Sequence, residues 1–162
     1  MANPEATQAL HDLSPGQELG VSEWVTITQS MINEFGAATL DPDPMHVDPE
    51  WARTEGPFGG TIAFGFLTIS LLTHLLGLVA KPDRTRHPAT AGYYLNYGFD
   101  RLRLVAPVRS GRRIRGRFTV LDHKRDERDR LVTTFECTVE IEGEDRPALS
   151  ALWLTVWVPP ST

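Results

Sequence analysis

The chain has 162 residues and a mass of 18.1 kDa, enough for one well-cored domain and too little for two. Hydrophobic residues at 41% and charged residues at 23% are ordinary for a folded protein and exclude a disordered, collagen-like or disulfide-scaffold chain. A net charge of -5 supplies no global field for a polyphosphate backbone, so nucleic acid is not an expected partner. One cysteine, and an N-terminus without a basic or apolar signal region, fit a reducing cytoplasm.

Residues 1–14 read as a polar, flexible lead within a single domain spanning 1–162. Residues 21–28 alternate as a strand does. Thr28 or Ser30 then caps a short helix whose apolar stripe is Met31, Ile32, Phe35 and Ala38. Over residues 40–60, Pro42, Pro44, Pro49, Pro57, Gly56, Gly59 and Gly60 break regular structure repeatedly, which predicts a long loop. Loops of this length in compact domains are more often functional than incidental.

Residues 61–80 are apolar on most of the circumference and predict one buried core helix. A membrane span is not expected, because Thr68, Ser70, Thr73 and His74 interrupt the run. Ser70, Thr73, His74 and Gly77 follow an i, i+3, i+4, i+7 spacing and share one narrow stripe. Either its hydroxyls bond back to carbonyls one turn earlier, or the stripe lines a cavity or faces a second subunit. His74 is expected to be a buried histidine with its hydrogen bonds met.

From Gly92 onward the pattern is strand: 94–104, 112–121, 131–141 and 148–158, with a polar hairpin at 122–130. Arginine is concentrated in Arg101, Arg103, Arg109, Arg112, Arg113, Arg115 and Arg117, a set suited to phosphate groups. The simpler reading is a solvated strand face, since Arg113, Arg115 and Arg117 alternate with Ile114, Gly116 and Phe118. Trp153 and Trp157 are expected to pack in the sheet, and His11, His87 and His123 are assigned no role. One helix followed by four antiparallel strands, with another strand near the N-terminus, makes an α+β fold in which a curved sheet wraps a central helix.

The chemistry is sought in Leu40-Asp-Pro-Asp-Pro-Met-His-Val-Asp48, where proline stiffens a loop that carries Asp41 five residues before His46. Asp41, Asp43, His46 and Asp48 are all possible metal ligands, but they match neither EF-hand nor zinc spacing. Asp43 and Asp48 read as turn and N-cap residues, the latter with Pro49 at the first helical position. A third reading of the run is an acid/base pair, Asp41 with His46.

That run, followed by Gly56-Pro-Phe-Gly-Gly-Thr-Ile-Ala-Phe-Gly-Phe-Leu-Thr-Ile-Ser-Leu71, resembles the MaoC-like dehydratase, or (R)-specific enoyl-CoA hydratase, family. The family pattern is Gly-Asp-x-Asn-Pro-x-His-x-Asp and then Ile-x-His-Gly-x-Leu, with a later strand ending Pro-Val-x-x-Gly, here Pro107-Val-Arg-Ser-Gly111. The resemblance covers about residues 15–158. It implies the hot-dog fold, a homodimer with the active site at the subunit interface, and acyl-CoA or acyl-carrier-protein thioesters as substrates, with no metal or redox cofactor. It also implies that Asp41 and His46 activate water and that the Gly65 N–H donates to the thioester oxyanion, with Phe64, Phe66 and Ser70 near the acyl group. The reaction would interconvert trans-2-enoyl and (R)-3-hydroxyacyl thioesters. An N–H where a helix begins suits an emerging enolate, and a carboxylate with an imidazole can exchange the protons.

Three positions depart from the pattern. Leu40 stands for the glycine, Asp43 for the asparagine, and Phe64 for the histidine before the glycine. They keep open a hot-dog thioesterase, or an acyl-binding partner subunit without catalysis.

Overall fold

The computed structural model describes residues 10–81 and 92–160. Period-two alternation builds its sheet. In β4 (Arg113–Arg125), Ile114, Phe118 and Val120 are fully buried, while the intervening arginines reach solvent. β5 (Leu131–Ile141) buries Phe135, Cys137, Val139 and Ile141 in the same way, and β6 (Leu149–Val158) buries Leu149, Ala151 and Trp153. With β1 (Glu18–Val21) and β3 (Tyr93–Leu104), these strands pair antiparallel in the order β1-β4-β5-β6-β3. β2 (Val25–Thr26) is a second short partner of β4. Register shifts at Val120/Asp122, Asn96/Gly98 and Phe99/Arg101 bend the strands.

The helices are α1 (Gln29–Thr39), α2 (Pro44–Val47), α3 (Pro49–Thr54), α4 (Gly65–Ser70) and α5 (Leu72–Ala80). Leu67, Leu72, Leu75 and Leu76 drive α4 and α5 into the sheet's inner face and join Phe118 and Phe135 in one core. Gly116 lets the helix come this close: a Cβ there would lie 3.0 Å from Leu75 Cβ and 2.6 Å from Phe118 Cε2. The result is the curved sheet around a helix expected of a hot-dog fold. No helix among the described residues is long and apolar enough to cross a membrane.

Several expectations need correction. The helix predicted over 61–80 begins at Gly65, because 61–64 is extended. Ala63 N–H bonds Val108 C=O at 2.7 Å, Ser110 N–H bonds Thr61 C=O at 3.0 Å, and Ile62 bridges Arg109. The rod is also interrupted at Leu71, although the Leu71-to-Leu67 and Leu75-to-Leu71 backbone bonds persist across the joint. The strand predicted over 21–28 is split into β1 and β2. His74 is exposed, not buried, and so are Ser70 and Thr73. Ser70 Oγ donates to Phe66 C=O at 2.8 Å, the back-bonded alternative for that stripe.

The arginines of β4 are not a free phosphate site. Arg113 pairs with Glu142, Arg115 with Glu140 at 2.7 Å, and Arg117 with both Glu140 at 3.2 Å and Glu18 at 2.6 Å. Partial burial pushes the Glu140 carboxyl up, but the hydrogen bonds from Arg115 and Arg117 outweigh it and hold that carboxyl below its usual value. Arg115 also lies over the Trp24 ring, 4.4 Å from its centre.

Trp153 is buried between Phe99 and Phe135, and Trp157 stacks on His11. In the stretch read as a lead, Leu10–Asp12 form a 3-10 turn and Leu13 is buried. His11 and His123 hold this stretch: His11 Nδ1 lies 2.6 Å from Tyr94 Oη, and His123 Nε2 donates to Leu13 C=O at 2.7 Å. Burial raises the Tyr94 phenol and the Cys137 thiol well above their ordinary values, so both stay neutral. His87 lies outside the described residues.

Candidate active site

The site begins where α1 stops. Thr28 caps its start by accepting from Met31 N–H, and Leu40 ends it in the left-handed region at φ 58°, ψ 32°. A left-handed residue reverses the chain after a helix, which is why the resembling pattern carries glycine here. Asp41 N–H then bonds Gly36 C=O at 2.9 Å. Gly36 is required for that approach, since a Cβ would meet Asp41 O at 2.9 Å and both Phe64 Cζ and Val47 Cγ1 at 3.1 Å.

The long loop is two capped helical turns rather than irregular chain. Asp43 accepts from Met45 N–H at 2.9 Å and caps α2, and Asp48 accepts from Glu50 and Trp51 N–H at 3.0 Å and caps α3. Pro44 and Pro49 follow these caps as the first helical residues. Asp43 is therefore committed to a cap, as its sequence context predicts. Among the described residues no His, Cys, Asp and Glu side chains are grouped to hold a metal ion.

His46 lies on α2, half-buried. Its Nδ1 is 2.8 Å from Ile62 C=O. A carbonyl only accepts, so Nδ1 carries the proton and Nε2 of the neutral ring keeps its lone pair. Ile62 N–H in turn bonds Met45 C=O at 3.3 Å. Gln29, on the first turn of α1, braces the same junction: its Nε2 donates to His46 C=O at 2.8 Å, and its Oε1 accepts from the Thr61 hydroxyl. Three separated stretches thus meet at Ile62. They are the Asp41–His46 loop, the extended 61–64 leading into α4, and the 107–111 turn bonded to that extension.

Asp41 is exposed, with Oδ1 accepting from Asp43 N–H at 3.2 Å. No hydrogen bond joins its carboxylate to His46 among the described residues. Gly65 is the first residue of α4, and no side chain caps that helix. A Cβ at Gly65 would collide with Leu104 Cδ1 at 2.3 Å, so glycine is what lets β3 and α4 touch here. Phe64 is buried, its ring 3.9 Å from the His46 ring and 5.4 Å from that of Phe35. Phe66 is 74% exposed, and Ser70 is exposed on the same short helix.

Gln29, the Ile62 carbonyl and Leu104 escaped sequence reasoning. The hydrogen-bond partners of the first two lie 16 to 32 residues away, Leu104 on β3 meets Gly65 at the start of α4, and no local pattern marks a backbone acceptor.

Known proteins resemble this chain over most of its length. The model of the MaoC like domain matches residues 11–141. Nodulation protein N of Rhizobium leguminosarum bv. viciae is 49% identical over 143 residues, 87% of this chain and 84% of that protein. The 3-hydroxyacyl-thioester dehydratase Z of Mycobacterium tuberculosis (strain CDC 1551 / Oshkosh) is 38% identical over 136 residues, 84% of this chain and 85% of that one. Among solved structures, the MaoC-like dehydratase from Rhodospirillum rubrum superposes with a TM-score of 0.70 at 25% identity, covering 94% of this chain and 97% of the other. With most of its length matched by the family model and by such relatives, this chain belongs to the MaoC-like domain family.

Proposed function

We propose that the protein is a hydro-lyase that interconverts trans-2-enoyl thioesters and (R)-3-hydroxyacyl thioesters, carried on coenzyme A or acyl carrier protein. Membership of the family supports a hydratase or dehydratase in general. The observation that carries the finer reading is the single hydrogen bond from His46 Nδ1–H to Ile62 C=O, which leaves Nε2 as a proton acceptor beside the start of α4.

In the hydration direction, Asp41 and His46 position a water molecule and take its proton as oxygen attacks Cβ. Charge moves to the thioester oxygen, where the Gly65 N–H holds it, and Cα then receives a proton. Phe66 and Ser70 line the acyl approach. The active form is a homodimer with each site at the subunit interface.

Crotonyl-CoA tests this reading. The enoyl absorbance should fall without release of free thiol, and Asp41→Asn or His46→Ala should each lower the rate about 10²- to 10⁴-fold while the fold persists. Thiol release would indicate hydrolysis of the thioester instead. No change in any variant would indicate a binding subunit.

A further inference from the structure

The side chain packed directly on the His46 imidazole is Phe64, at the position where the resembling family pattern carries histidine. The two ring centres are 3.9 Å apart with planes inclined by 33°. Phe64 is only 5% exposed. Its ring centre also lies 5.4 Å from that of Phe35, and its tip abuts Gly36, where an added Cβ would lie 3.1 Å from Cζ. The ring is therefore wedged against α1 and has little freedom to rotate.

An imidazole held by one hydrogen bond at Nδ1 retains rotation about its own Cα–Cβ and Cβ–Cγ bonds, and a flat partner on one face removes it. Phe64 cannot donate or accept a hydrogen bond, so it offers the imidazole no competing partner to the Ile62 carbonyl. A polar residue in that place would compete for the imidazole nitrogens.

We propose that Phe64 is a positioning residue for His46: by packing on the ring face, it locks the Nδ1–H tautomer onto Ile62 C=O and keeps Nε2 directed toward the reacting water. The catalytic part of this inference rests on the hydratase reading above, whereas the tautomer is a property of the free protein.

Nitrogen-15 NMR of the His46 ring, recorded without substrate on the neutral form, reads the tautomer directly. Wild type should be the Nδ1–H form. Phe64→Ala, and Phe64→Leu as the variant that keeps apolar volume without a flat face, should become mixed or mainly the Nε2–H form. On crotonyl-CoA, the Ala and Leu variants should lose kcat about 10- to 100-fold with little change in KM, the signature of a misplaced group rather than of lost binding.

A folded Phe64→Leu protein with His46 still fully in the Nδ1–H form would overturn the proposal. So would equal kcat in wild type and that variant, provided wild type hydrates. If wild type is inactive on crotonyl-CoA while Phe64→Leu still shifts the tautomer, the hydratase reading fails and the positioning role of Phe64 stands.

Discussion

At the scale of single residues, the loop before the site holds one unfavourable choice among several favourable ones. Leu40 takes a left-handed backbone at φ 58° and is 88% exposed, so its side chain gains almost nothing from burial. A non-glycine residue in that region costs about 1–2 kcal/mol, part of which glycine would return through its freer unfolded chain. Leu40→Gly should therefore stabilise the protein by about 0.5–1 kcal/mol in urea unfolding. A loss of stability would mean that the exposed leucine has a partner in the assembled protein. The caps beside it were legible because Asp43-Pro44 and Asp48-Pro49 are local signals whose acceptor and donor lie two or three residues apart. His46 was legible as a catalytic candidate. Its orientation was not, because a carbonyl 16 residues away sets it.

Elements show the same divide between local and distant causes. The β4 alternation announced one buried and one solvated face, and cross-strand carboxylates on β1 and β5 then decided that its arginines are paired. The helix over 61–80 was legible as buried from its composition. Its late start was not, because the 107–111 turn captures residues 61–63 as extended chain.

The β4–β5 hairpin carries a pH dependence of its own. The Arg130 side chain and backbone N–H both bond Asp126, and these bonds hold its carboxyl down to about 2 from 3.8. A carboxyl depressed by folding stabilises the native state above its unfolded value and loses that contribution as pH falls through the folded one. The difference in thermal midpoint between wild type and Asp126→Asn should stay constant above pH 3.8 and shrink as pH approaches about 2. A difference unchanged across that range would show that the Arg130 pair does not stabilise the hairpin.

For the whole molecule, the decisive feature is what the sheet order leaves uncovered. Among the described residues, β3 closes one end of the sheet, twelve residues long, with one side of its backbone unpaired. Along it Tyr93, Leu95, Tyr97, Phe99 and Leu104 are each between 39% and 54% exposed. A long apolar edge is an association surface unless something covers it. An antiparallel pairing of β3 with β3 of a second copy satisfies both backbones, and a two-fold axis makes the two contacts identical. Leu104, which packs on Gly65, lies at the end of this same strand, so the edge and the candidate site are mechanically joined. Sedimentation at micromolar concentration should therefore give twice the 18.1 kDa chain mass. Leu95→Lys combined with Phe99→Lys places charge on the edge and should give the single-chain mass, with hydration activity falling in step with the dimer fraction. Full activity in a protein that sediments as one chain would place the whole site within a single subunit and remove the need for a partner.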